Sequence, residues 1–200
     1  MKQVSIAVII VFLWIHAVAA APIPLSTEQR GQLQRGDVVL LDVLPPGEPS
    51  DVQGGTAVAL VRAAPEVVWA VLLDFANHAG LYPGVVASHV LQSDPMHTLV
   101  RYVVSVGPLS FGFHVNNYPD PLHRRLVWQL AVDRRNDLFQ KSWGYWQLDP
   151  DPSGVLVTYA MAARTVLPGF VTRAAERDGL LATVSAVRDR AERRSLSQPR

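Results

Sequence analysis

The chain has no cysteine, so disulfide scaffolds, iron–sulfur clusters, thiolate zinc sites and cysteine nucleophiles are excluded. Lysine is almost as scarce. Lys2 and Lys141 are the two lysines among 18 basic residues, so a Schiff-base mechanism in a chain lacking the first 20 residues would have to use Lys141. Charge of one sign is also missing: 18 basic residues face 17 acidic ones, and removing residues 1–20 leaves 17 against 17. A general nucleic-acid binder carries a basic excess to neutralise phosphates, so no nucleic-acid partner is expected. There is no Gly-x-Ser-x-Gly elbow, no Ser-x-x-Lys and no phosphate-cradling glycine loop. What remains, 200 residues that are 49% hydrophobic and 18% charged, is enough for one domain with a substantial core.

Long apolar runs are limited to one, Val4 to Ile15, preceded by Met1-Lys2 and followed by the small residues Ala17 to Ala21. This is the anatomy of a signal peptide over residues 1–20, cut after Ala19 or Ala20. An uncleaved anchor is the alternative, but the run is shorter than the ~20 residues of a bilayer span. The expected protein is therefore exported, periplasmic or secreted, with membrane contact at most transient and no obligate protein partner.

Residues 21–53 read as a lead-in. Ser26-Thr27-Glu28-Gln29 fits a capping box before a short helix ending near Gly36, and Val38 to Leu44 is strand-like until Pro45-Pro46-Gly47 breaks it. Whether that strand joins the main sheet is left open by the sequence. The main domain spans 54–194, with a frayed tail over 195–200. Thr56 to Ala63 is a strand. Pro65 and Glu66 open a short helix through Leu73, and a second short helix or turn covers Asn77 to Leu81. Five strand candidates follow at Val85–Gln92, Thr98–Val106, Ser110–Tyr118, Arg125–Val132 and Gln140–Leu148, and a last one at Val155–Arg164, all separated by Pro, Gly and Asp turns. Residues 169–194 then form a helix ~40 Å long with one broad apolar face.

A single long helix beside an antiparallel meander keeps its stripe dry only if a concave sheet grips it. The expected class is α+β, a curved antiparallel sheet of about six to seven strands around a long C-terminal helix. This order resembles the START-like helix-grip superfamily, also termed SRPBCC. The wording Pro65-Glu66-Val67-Val68-Trp69-Ala70-Val71-Leu72-Leu73-Asp74-Phe75, followed by Tyr82-Pro83-Gly84-Val85, carries the resemblance. Polyketide cyclases/dehydrases, coenzyme-Q-binding proteins and plant-allergen-like lipid binders belong to that group. The resemblance implies a cavity for a hydrophobic molecule and says little about which one.

Alternation along the strands places Val100, Tyr102, Val104 and Val106 on the concave face, then Phe111, Phe113, Val115 and Asn117, then Leu126, Trp128, Leu130 and Val132, then Val157, Tyr159 and Met161. Over 140–148 either Trp143/Tyr145 or Trp146/Leu148 points inward. The candidate ligand-binding residues are Trp69, Tyr82, Tyr102, Phe111, Phe113, Asn117, Trp128, Trp146, Tyr159 and Arg177. Arg177, with Arg173 and Arg164 as related candidates, offers a clamp for an anionic head group, against the plainer role of a surface ion pair with Glu176 or Asp178. Asp74 is expected in a capping or salt-bridge role. No catalytic residue, metal or cofactor is expected, because the histidines lack ligand spacing. His78, beside Tyr82, is the only histidine near the expected cavity mouth, and is read first as a solvated helix residue. His97 and His123 follow turns and should be exposed, and His114 should be solvated. The expected function is carriage of a lipid, isoprenoid or quinone-like molecule. A cyclase/dehydrase-type enzyme acting on a polyketide-like substrate is the alternative.

Overall fold

Period-two apolar alternation after Gln53 yields an antiparallel meander, and the computed structural model describes it within residues 23–47, 51–166 and 169–197, excluding the side chains of 169–176. The expected signal peptide, and the side chain of Arg173, lie outside the described residues. The elements are α1 (Thr27–Gln34), β1 (Val39–Leu41), β2 (Gln53–Val61), α2 (Pro65–Leu73), a 3₁₀ turn (Phe75–Asn77), β3 (Val85–Ser93), β4 (Thr98–Val106), β5 (Leu109–Asp120), β6 (Arg125–Leu130), β7 (Phe139–Asp151), β8 (Gly154–Thr165) and α3 (Gly169–Ser197). The sheet has eight strands in the order β1-β2-β8-β7-β6-β5-β4-β3, every pairing antiparallel. The strand count exceeds the expectation because the lead-in strand does join, pairing Val39 with Val58 at one edge.

Ser26 caps α1 as its spacing indicates: its hydroxyl accepts from the Gln29 N–H while the Gln29 side chain accepts from the Ser26 N–H. Gly36, at φ +92°, ends the helix in a conformation that an L side chain resists. Leu33 then packs with Val39, Val58 and Leu60 on the outer face of the sheet. The lead-in is thereby a second, smaller layer of core, and Arg188 of α3 holds it from the far side by donating to the Gly36 carbonyl at 2.8 Å.

Inside the curve, Ala57, Ala59 and Val61 of β2 are fully buried in one cluster with Leu180, Val184, Val187 and Ala191 of α3. A Cβ built on Gly55 would already stand 3.3 Å from Leu180 Cδ1. Small residues on β2 thus let α3 approach the sheet closely at that side. Register shifts between Val85 and Ala87, between Val90 and Gln92, and between Phe139 and Lys141 are irregularities of the kind that bend strands. The sheet curves, but α3 lies on one flank of the concavity. The space over β4 to β8 is left to side chains.

At 29 residues α3 is about 43 Å long. It runs through Ser197, so the first residues of the expected frayed tail are helical. Its far end is fixed by Arg194, which donates to Asp74 Oδ2 at 2.6 Å, the salt-bridge role expected for that aspartate. Val132 lies beyond the end of β6 and is 82% exposed, so it does not face inward as alternation alone implied.

Candidate functional site

The faces of β7 are decided by what stands opposite. Gly144, Trp146 and Leu148 share a phase, and Trp128 of β6 is the cross-strand partner of Gly144. With no side chain at 144, the Trp128 indole extends over β7 towards Tyr159. Trp143 faces outward and donates from Nε1 to the Pro46 carbonyl at 3.0 Å. Tyr145, also outward, lies under the Arg125 guanidinium at 3.8 Å. Of the two alternatives for 140–148, the inward pair is therefore Trp146/Leu148.

Between sheet and helix lies a cavity of about 610 Å³, within the ~300–1,000 Å³ of small-molecule sites. Tyr82, Tyr102, Phe113, Asn117, Trp128, Trp146 and Tyr159 all line it. The structure places three other candidates elsewhere. Trp69 is half-buried against the main core, and Phe111 is half-buried without reaching the cavity wall. Arg177 is 64% exposed and faces Asp42 at 3.7 Å. A helical stripe predicts which residues lie near the sheet but not which terminate in solvent, and Arg177 sits before the first buried position of that stripe that the structure describes, Leu180.

The aromatic lining is continuous. Tyr82 stacks on Trp146 at 6.3 Å between centroids, Trp146 on Tyr159 at 4.2 Å, and Tyr159 on Trp128 at 6.3 Å. His78 joins the other branch: its ring lies 4.6 Å from Tyr82 and 6.1 Å from Tyr102, and Tyr102 leads on to Phe113 and Phe139.

His78 is the correction with most chemical content. It is 1% exposed and lines the cavity rather than projecting into solvent. Its Nδ1 lies 2.9 Å from the Tyr102 hydroxyl. With that hydroxyl as donor the ring proton resides on Nε2, an atom buried with no hydrogen-bond partner among the described residues. Burial pushes the imidazole down to about 4, against the nearby carbonyls of Val71 and Leu72 and the charge of Asp74, which favour protonation. The signal in the sequence is local: His78 follows Phe75 at i+3, one short turn on.

A consequence is measurable. The unfolded imidazole titrates near 6.5, so between that pH and about 4 the unfolded chain binds a proton that the folded chain refuses. Stability is full above pH 6.5 and falls as pH drops through this window, by on the order of 3 kcal/mol. Urea unfolding at pH 7 and pH 4.5 should show this drop, and His78→Phe should remove most of it. An unchanged drop in the variant would assign the slope to other groups.

Burial, reinforced by mutual electrostatic opposition, also raises the phenols of Tyr82 and Tyr102, and burial alone raises that of Tyr159. All three are un-ionised at neutral pH. The Tyr82 and Tyr159 hydroxyls have no hydrogen-bond partner among the described residues. Asn117 donates its two amide hydrogens to the Thr98 and Val115 carbonyls at 3.2 and 3.3 Å, which leaves its Oδ1 free to accept. Arg164 borders the cavity where β8 ends, and its Nε is buried without a partner among the described residues. Among the other histidines His123 is exposed, pairing with Asp120 at 2.7 Å. His97 is 24% exposed and bonds Asn116, and His114 is half-buried with Nδ1 at 3.0 Å from the Arg135 carbonyl. No group of residues with metal-ligand geometry occurs among the described residues.

Residues 61–188 match the model of a family described as polyketide cyclase / dehydrase and lipid transport. The chain belongs to that family. Solved structures similar to this family member include the Zhui aromatase/cyclase from Streptomyces sp. R1128, with 18% identity and a TM-score of 0.63 over 72% of this chain and 95% of that one. A STAR-related lipid transfer protein from Xanthomonas axonopodis gives 20% identity and a TM-score of 0.65 over 77% and 92%. A START superfamily protein from Mycobacterium smegmatis gives 19% and 0.57 over 71% and 97%. At these identities the likeness is one of fold, the helix-grip fold. No curated protein matches by sequence. The polyketide cyclase / dehydrase and lipid transport family thus supplies the frame, and the wall residues above supply what is particular to this chain.

Proposed function

We propose that this protein binds, and carries through an aqueous compartment, a hydrophobic small molecule of the lipid, isoprenoid or quinone-like kind. The observation that carries this reading is the aromatic-lined cavity of about 610 Å³ between the sheet and α3. Each ligand methylene that leaves water for such a lining gains ~0.8 kcal/mol, and a few polar contacts suffice to set orientation. Residues 1–20, taken as a cleaved signal peptide, would put the carrier in the periplasm or outside the cell.

The second reading, a cyclase/dehydrase-type enzyme in the same cavity, is favoured by the His78–Tyr102 pair. It is weakened by the same pair's chemistry. An imidazole held near 4 is a poor base, and a phenol raised by burial is a poor acid, so neither is matched to proton transfer near pH 7.

Mature protein incubated with cell lipid extract and re-purified should carry an apolar species in stoichiometric amount by native mass spectrometry. Apo protein alone after that incubation would count against carriage, and turnover of a polyketide-like substrate would favour the enzyme.

A further inference from the structure

We infer that the cavity selects ligands whose buried polar group is uncharged, an alcohol, ketone or quinone oxygen, over ligands that bury a carboxylate; this deepens the hydrophobic-carrier reading and rests on it. The argument is a census of what the wall offers. Tyr82 and Tyr159 present hydroxyls without hydrogen-bond partners among the described residues, and both belong to one ring ladder through Trp146. Tyr102 reaches the same space and is itself held by His78. All three tyrosines line the one cavity. Asn117 adds an acceptor on the same lining. A hydroxyl or carbonyl oxygen brought here finds both donors and acceptors.

A carboxylate brought to the same place finds no counter-charge. His78 is neutral at physiological pH. The charges that act on it, Asp74 and Arg190, are opposite in sign and lie outside the cavity lining: Asp74 is paired with Arg194, and Arg190 donates to the Asn77 carbonyl at 2.9 Å. The charged wall residues among those described, Asp51 and Arg164, sit where β2 begins and β8 ends. Arg164 lines the cavity at the end of β8, five residues along the strand from Tyr159 and beside the register shift between Phe139 and Lys141. Taking an ion out of water without a partner costs far more than taking out a hydroxyl that finds one.

The test is displacement of the neutral fluorophore 1-N-phenylnaphthylamine from wild-type protein by dodecan-1-ol and by dodecanoate at pH 8. The alcohol should compete at a concentration at least tenfold lower than the acid. Tyr159→Phe removes a hydroxyl with no described protein partner, so the fold should tolerate it. That variant should weaken the alcohol three- to tenfold relative to dodecanoate and the fluorophore, which set the baseline for any general change in the wall. Dodecanoate competing as well as the alcohol overturns the inference while the carrier reading stands. If Arg164→Gln then weakens dodecanoate alone, the head group belongs at Arg164 instead. Absence of saturable fluorophore uptake overturns both.

Discussion

Replacing Met161 by Trp and Ala163 by Phe together should abolish uptake of an apolar probe while leaving the protein folded. Both residues lie on β8 and line the cavity. Met161 stands opposite Gly144 on one neighbour and Gly55 on the other, so neither cross-strand partner has a side chain of its own, and the Trp128 indole covers the Gly144 position. Both positions line the cavity, so bulkier rings there have its volume to extend into. The void contributes nothing to stability, since its lining lacks partners on one side. Filling it should therefore leave the melting temperature unchanged or raise it, unlike a large-for-small exchange in a filled core. Binding moves the other way. Excluding about four ligand methylenes forfeits about 3 kcal/mol, or roughly 200-fold in affinity. Fluorescence titration with a neutral probe and a thermal melt on the same sample read both effects. Full uptake in a folded double variant would mean that the probe binds somewhere else.

That experiment also marks the boundary of what the sequence discloses. Local chemistry is legible: the Ser26–Gln29 capping box, Pro65 at the start of α2 and the turn residues between strands each form the element that their spacing requires. Period-two alternation assigns most inward residues, because a strand has only two faces. It fails where both faces carry aromatics. Trp143 and Trp146 are indistinguishable until Gly144 is seen to make room for Trp128 and Pro46 to accept from Trp143. It is also blind to depth. Phe111 and Phe113 share a phase, yet Phe113 alone reaches the cavity. The burial of His78 escapes the sequence for a related reason. The residue lies in a short irregular segment without a period long enough to show its inner side, and its burial is completed by Tyr102 of β4, which is distant in the sequence. Helix faces suffer the same limit at their ends, as Arg177 shows with its exposed pairing to Asp42.

The same logic makes Gly144→Ala a costly substitution for the fold. Glycine is needed here for space: a Cβ at 144 would stand 2.6 Å from Trp128 Cζ2 and would collide with the Ala160 carbonyl oxygen. The indole could give way, but the carbonyl belongs to the neighbouring strand β8, where Ala160 is fully buried. Relief requires β7 and β8 to part or Trp128 to leave its place beside Tyr159. Overpacking of this kind costs about 2–3 kcal/mol, which for a chain of this size lowers the melting temperature by roughly 5–10 °C. The two clashes separate in a double-mutant cycle. Adding Trp128→Leu to Gly144→Ala should recover the part of the loss that comes from the indole and leave the part that comes from Ala160. A melting temperature within 1–2 °C of wild type for Gly144→Ala alone, with tryptophan emission unchanged, would show that the strands have slack there, and with it that the ring ladder beside the cavity is not set by the absence of a side chain at 144.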